Sequence, residues 1–153
     1  LFRKSDGSLW AMGYNNKGQL GNGTVTNRNS PVQVVDANVS AVAGGEAHSL
    51  FMKTDGSLHA MGRNENGELG DGTTTQRNSP VQILASGVTQ IAAGGHSLFL
   101  KSDGSLWAMG NNGNGQLGDG TTTQRTSPVK TNDLISTVEQ AYVAETAADV
   151  TDN

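Results

Sequence analysis

The stretch DGSLHAMGRNENGELGDGTTTQRNSPVQ, Asp55 to Gln82, decides the fold because it occurs three times. DGSLWAMGYNNKGQLGNGTVTNRNSPVQ runs from Asp6 to Gln33, and DGSLWAMGNNGNGQLGDGTTTQRTSPVK from Asp103 to Lys130. The copies are offset by 49 and 48 residues, and the second and third agree at 22 of 28 positions. A fixed period of this length marks a repeat architecture.

A second block fills the space between copies. VSAVAGGEAHSLFMKT covers Val39 to Thr54, and VTQIAAGGHSLFLKS covers Val88 to Ser102 with one residue fewer. The chain opens within such a block, at LFRKS. HSLFMK and SLFLK are short apolar runs of strand-forming residues, and the Asp-Gly that follows signals a hairpin. SLWAMG or SLHAMG is the returning strand, ending at Gly13, Gly62 and Gly110. The Gly- and Asn-rich NxxGQLGDGTTT segment reads as ordered loop. Pro31, Pro80 and Pro128 are each expected to start a short PVQ-type strand, since Pro is tolerated at a first or edge position. VxxVAAG adds a fourth strand. Leu9, Trp10, Ala11 and Met12 run together as apolar residues, the mark of a strand covered on both faces.

Composition agrees. Apolar residues make up 34% and charged residues 16%, and there are 21 Gly. This suits short strands and tight turns and not a helical bundle. The chain has no Cys, which removes disulfides, thiolate metal sites and Cys nucleophiles. No stretch approaches a membrane-spanning helix. All 10 Lys and Arg lie in residues 1–130 with 9 acids, a net +1, whereas residues 131–153 hold 5 acids and no base. A near-neutral body offers no field to attract nucleic acid.

Four strands in about 49 residues match one propeller blade. GGxxHS, DGSLW, GxNxxGQLGDGT and SPV together resemble the regulator of chromosome condensation (RCC1) repeat over residues 1–130. The resemblance implies an all-β fold, a β-propeller of four-stranded antiparallel blades, with three blades forming part of a roughly seven-bladed ring. Near-identical copies resemble the bacterial branch of the family. Three blades do not close a ring, so the expectation is either a longer natural chain or completion by homo-oligomerisation, the former favoured by the start in mid-strand. Members of the family include a nucleotide exchange factor on chromatin, an ultraviolet photoreceptor and inhibitors of secreted β-lactamases. None of these roles is carried over: the body is not basic, only Trp10 and Trp107 are present, and no inserted hairpin resembles an exchange wedge.

The residues with chemical potential sit at repeated positions. His48 and His96 are each followed by Ser, but no acid stands at a consistent place to orient them, so packing within each blade is the expected role. His59 replaces Trp10 and Trp107 and reads as a swap at a packing position. The three His are a blade apart or on different strands, which does not gather zinc ligands. NENGELGDG, Asn64 to Gly72, lacks the EF-hand spacing, and Asp6, Asp55 and Asp103 belong to hairpins. No catalytic group, metal or cofactor is expected.

Arg28, Arg77 and Arg125 recur in the TTTxR loop. They form a candidate anion-facing arc, or else take part in a salt bridge within each blade. The positions that change inside the fixed frame are Tyr14, Asn16 and Lys17, then Arg63, Glu65 and Asn66, then Asn111 and Asn114. Loops on a rigid scaffold carry recognition, and Tyr and Arg are common at hot spots; drift at an exposed loop is the alternative. The expected function is a non-catalytic protein-binding scaffold within a larger bacterial secreted or surface protein. An architectural oligomerising module or a propeller enzyme are the alternatives. The acidic segment 131–153 is expected to be a short helix capped by Ser136 and Glu139, a decayed strand with Val138 in the place of Val88, or disordered.

Overall fold

A computed structural model describes residues 1–131. The alternatives for the acidic tail lie outside the described residues. Eleven strands and no helix occur among them: β1 (Phe2–Arg3), β2 (Leu9–Gly13), β3 (Arg28–Val35), β4 (Val39–Gly44), β5 (His48–Lys53), β6 (Leu58–Gly62), β7 (Arg77–Leu84), β8 (Val88–Ala93), β9 (His96–Lys101), β10 (Leu106–Gly110) and β11 (Arg125–Lys130). They form three antiparallel sheets, β1-β2-β3, β4-β5-β6-β7 and β8-β9-β10-β11. These are three blades of a β-propeller.

The VxxVAAG strand does not finish the blade it follows; β4 and β8 begin the next one as its innermost strand, and lie against each other near the centre. Each chain connection between blades therefore crosses from an outer edge to an inner one. The outermost strand also starts earlier than expected. Arg28, Arg77 and Arg125 are its first residues and stand in β3, β7 and β11, not in a loop. A register shift before each of Gly13, Gly62 and Gly110 sets the Arg opposite the Gly. Such a bulge re-aims the side chains at a strand end.

The core lies between blades. Leu9, Val39, Phe51 and Met61 fill the space between the first and second. Leu50, Leu58, Ala60, Leu69, Val88, Phe99 and Met109 fill the space between the second and third. Both faces of the middle sheet are thus covered, which explains the continuous apolar runs. Gly21 and Gly70 permit the close approach: a Cβ on either would fall 2.5 Å from the sulfur of Met61 or Met109. Their φ angles of 73° and 76° disfavour any side chain as well.

Hydrogen bonds bolt one blade to the next at equivalent places. Ser49 Oγ donates to Gln19 O at 2.8 Å, and Ser97 Oγ to Glu68 O at 2.7 Å. At the opposite end, Val39 N donates to Gly7 O and Val88 N to Gly56 O.

Candidate partner-binding rim

The long β6–β7 loop and its equivalents are built around one side chain that the sequence reading did not single out. Asn15, Asn64 and Asn112 are fully buried. Asn64 Nδ2 donates to Thr73 O at 3.0 Å, to Thr75 O at 3.1 Å and to Asp71 Oδ1 at 3.0 Å, while its Oδ1 accepts from Leu69 N at 2.9 Å. Asn15 and Asn112 repeat the set. One amide thus closes a loop that would otherwise carry unsatisfied backbone carbonyls. The signal was present: Asn holds this position in all three copies while its neighbours change.

A carboxylate ties the loop to the outer strand. Asp71 Oδ1 accepts from Thr73 N and Oγ1, and Asp71 Oδ2 meets Arg77 Nε at 2.8 Å. Asp119 meets Arg125 Nε at 2.6 Å in the third blade. The hydrogen bond from the Thr121 hydroxyl, aided by Arg125, holds the Asp119 carboxyl down at about 2. Burial opposes the same effect at Asp71, but the Thr73 and Arg77 bonds prevail and its pKa is lowered. In the first blade Asn22 replaces the Asp. Its Oδ1 accepts from Thr24 N, Thr24 Oγ1 and Asn15 Nδ2. That leaves its Nδ2 where Asp71 and Asp119 present an oxygen to their arginines. Asn22 Nδ2 and Arg28 Nε are both buried without an acceptor.

The variable tips line up along one rim. Tyr14 is 63% exposed. Asn16, Glu65 and Asn114 are exposed, and Asn66 and Asn111 half-buried. Lys17 of the first blade pairs with Glu65 of the second at 2.5 Å. Gln124 of the third donates to Asn66 of the second at 2.8 Å. Neighbouring tips therefore touch side by side.

Arg63 is more constrained than its exposed neighbours. Its Nε donates to Glu68 at 2.9 Å and its Nη2 to Glu46 at 3.2 Å. Glu68 is fully buried and also accepts from Asn66 N and Nδ2. Burial works against its charge, yet these bonds and Arg63 lower its pKa. Glu68 stands where the other copies have Gln19 and Gln116, in the one copy with Arg63; that coupled change was the clue to the pair.

His48 bridges two sheets, whereas His59 stacks within its own. His48 Nε2 lies 2.8 Å from Ser97 Oγ of the next blade, not its own neighbour Ser49. Ser97 donates its proton to Glu68 O, so His48 must be the N–H donor in this bond. That polarity is the reverse of a base activating a nucleophile. Burial lowers the His48 pKa to about 4. His59 stacks on Phe51 at 4.8 Å and reaches Ser57 Oγ, as Trp10 and Trp107 reach Ser8 and Ser105. Among the described residues no group of three His, Cys, Asp or Glu is placed to hold a metal ion.

The family model of the regulator of chromosome condensation (RCC1) repeat matches residues 6–52, 55–100 and 103–144. The chain belongs to the RCC1 repeat family. A second model of the RCC1 repeat matches 39–68 and 88–116. Among solved structures, the chain is similar to human WBSCR16 at 28% identity and a TM-score of 0.73, covering 84% of this chain and 35% of that one. It is similar to Prp20p from Saccharomyces cerevisiae at 20% identity and a TM-score of 0.76, covering 86% and 36%. Yeast RCC1 (Prp20) bound to Kap60 aligns at 21% identity with a TM-score of 0.70, covering 83% and 33%. The Prp20p structure is described with its binding to Gsp1p and histones. At 20% and 21% identity the two yeast comparisons show the fold. The RCC1 repeats here span about a third of the length of those chains. A search of curated proteins found no match.

Proposed function

We propose that this chain is a non-catalytic protein-binding module whose contact surface is the rim of variable loop tips. The observation that carries this reading is the contrast within each loop. The buried Asn15, Asn64 and Asn112 hold an identical frame, while Tyr14, Asn16 and Lys17, Arg63, Glu65 and Asn66, and Asn111 and Asn114 differ along a continuous edge. Rigid frames with divergent tips suit recognition. Protein partners of Prp20p support the class of partner. The reversed polarity of the His48–Ser97 pair supports a non-catalytic role. The near-identity of the copies resembles bacterial members of the family, and a place in a larger bacterial secreted or surface protein is proposed with it.

The test is an array of purified proteins probed with the chain, followed by affinity measurement on each hit. Arg63→Asn is combined with Glu68→Gln, the pair of residues found in the third copy, so that no buried charge is orphaned. Tyr14→Asn completes the variant. At least tenfold weaker binding is expected; hits that bind the variant as well as the parent would refute the rim.

A further inference from the structure

The triplet Asn-x-Ser/Thr occurs twice, at Asn22-Gly23-Thr24 and at Asn38-Val39-Ser40. It is the acceptor motif for attachment of an oligosaccharide through an asparagine amide. The fold treats the two amides differently. Asn22 Oδ1 accepts from Thr24 N, Thr24 Oγ1 and Asn15 Nδ2, and its Nδ2 is buried. A sugar on that nitrogen has no room.

Asn38 stands in the turn between β3 and β4 and is exposed. Its side chain forms no hydrogen bond with a described residue. Its φ of 66° is the one positive value at a residue other than glycine among the described residues. Asn is a side chain that tolerates this backbone, which explains the residue type but leaves the amide unused. The equivalent residue of the next connection is Gly87, with a φ of 86°, and a Cβ there would meet nothing within 4 Å. Gly87 joins the second and third blades with the first already in place, so the open space is a property of the connection itself.

Two neighbours complete the acceptor. Ser40 supplies the hydroxyl two residues after the Asn. Bacterial transferases also read a carboxylate two residues before it, and Asp36 is there and exposed. Leu20 holds that place before Asn22, and Ala85 before Gly87. We infer that Asn38 is a site of N-glycosylation, with Asp36 to Ser40 as its acceptor sequence. Asn38 Nδ2 bonds to C1 of an oligosaccharide carried on a lipid diphosphate. The bond from C1 to the phosphate oxygen breaks, the lipid diphosphate leaves, and Nδ2 gives one proton to a base of the transferase. The step precedes folding, because in the blade Val39 is fully buried and Ser40 Oγ donates to Met52 O at 3.1 Å. β4 then pairs and leaves the glycan outside. The inference rests on the exported setting proposed above and not on the rim.

The experiment dilutes the chain from urea into a purified bacterial oligosaccharyltransferase with a polyprenyl-diphosphate oligosaccharide, and maps the modified peptides by mass spectrometry. One glycan on Asn38 and none on Asn22 is expected, with chain folded beforehand at least tenfold poorer as an acceptor. Asn38→Gly and Ser40→Thr install the residues that Gly87 and Thr89 hold in the next connection, where the Thr89 hydroxyl bonds Leu100 O as Ser40 bonds Met52 O. Both variants therefore keep the fold; the first should abolish transfer and the second retain it. Ser40→Ala should cut transfer at least tenfold. The glycosylated chain should refold to the same β-sheet circular dichroism spectrum. No glycan on Asn38, transfer that survives Ser40→Ala, equal transfer to folded chain, or a glycosylated chain that does not refold would overturn the inference. The protein array uses unmodified chain, so failure of the rim reading there and failure of this site are separate results.

Discussion

Replacing Asn22 by Asp should stabilise the first blade. In the parent, Asn22 Nδ2 and Arg28 Nε are both buried without acceptors. An unsatisfied buried donor costs about 1–3 kcal/mol. The new carboxylate relieves both, but the equivalent Arg77 side chain is 36% exposed, and partly solvated ion pairs return only about 0.2–1 kcal/mol. The net gain expected at pH 7 is therefore about 1–2 kcal/mol, or roughly 3–6 °C in melting temperature for a chain of this size. The gain must also depend on pH in a defined direction. The Thr24 hydroxyl and Arg28 stand to residue 22 as Thr121 and Arg125 stand to Asp119, whose carboxyl is held down at about 2. A carboxylate depressed on folding stabilises above its unfolded pKa and loses that contribution as pH falls through the folded one. Urea denaturation at pH 7 should show the gain, and at pH 2 it should have largely gone. Unchanged or lower stability at pH 7, or a gain that survives at pH 2, would refute the donor-against-donor account.

Three other outcomes are expected. His48, held near 4 by burial, binds a proton more readily unfolded than folded, so stability should fall between pH 6.5 and 4 by about 3 kcal/mol; urea melts of His48→Gln, which keeps a donor for Ser97, should show a flatter profile over that range. Gly70→Ala places a Cβ against the Met109 sulfur at a φ of 76°, and should destabilise by about 2–3 kcal/mol in chemical denaturation, with Gly21→Ala behaving alike. Arg63→Ala leaves Glu68 buried and unpaired and should cost about 3 kcal/mol, whereas Arg63→Ala with Glu68→Gln should recover most of it; a double-mutant cycle that came out additive would contradict the pairing.

How far the residues alone carried the reading differs between fold and site. The 49- and 48-residue offsets, the Asp-Gly hairpins and the apolar runs were enough for four strands per unit and for blades covered on both faces, because strand pairing and turn chemistry are local properties. The partition of those strands was not local. VSAVAG and VTQIAA are contiguous with the blade before them yet pair with the blade after, a choice made by which neighbour buries Val39 and Val88. Pro marked the outer strand correctly but not its start, since the bulge that admits Arg28, Arg77 and Arg125 depends on the facing Gly13, Gly62 and Gly110.

At the rim, the sequence by itself determined which tips vary and which frame residues do not. It left the arginines poised between an anion-facing arc and internal salt bridges. Tertiary structure pairs two of them internally, because an ion pair is a matter of which atom lies opposite: Asp71 and Asp119 meet Arg77 and Arg125 with oxygen, whereas Asn22 Nδ2 and Arg28 Nε are each buried without an acceptor. The same holds for His48, whose adjacent Ser49 turns to Gln19 while its partner, Ser97, comes from 49 residues further along the chain. Periodicity names the positions that are equivalent, but only packing between blades determines which equivalent residue each one touches.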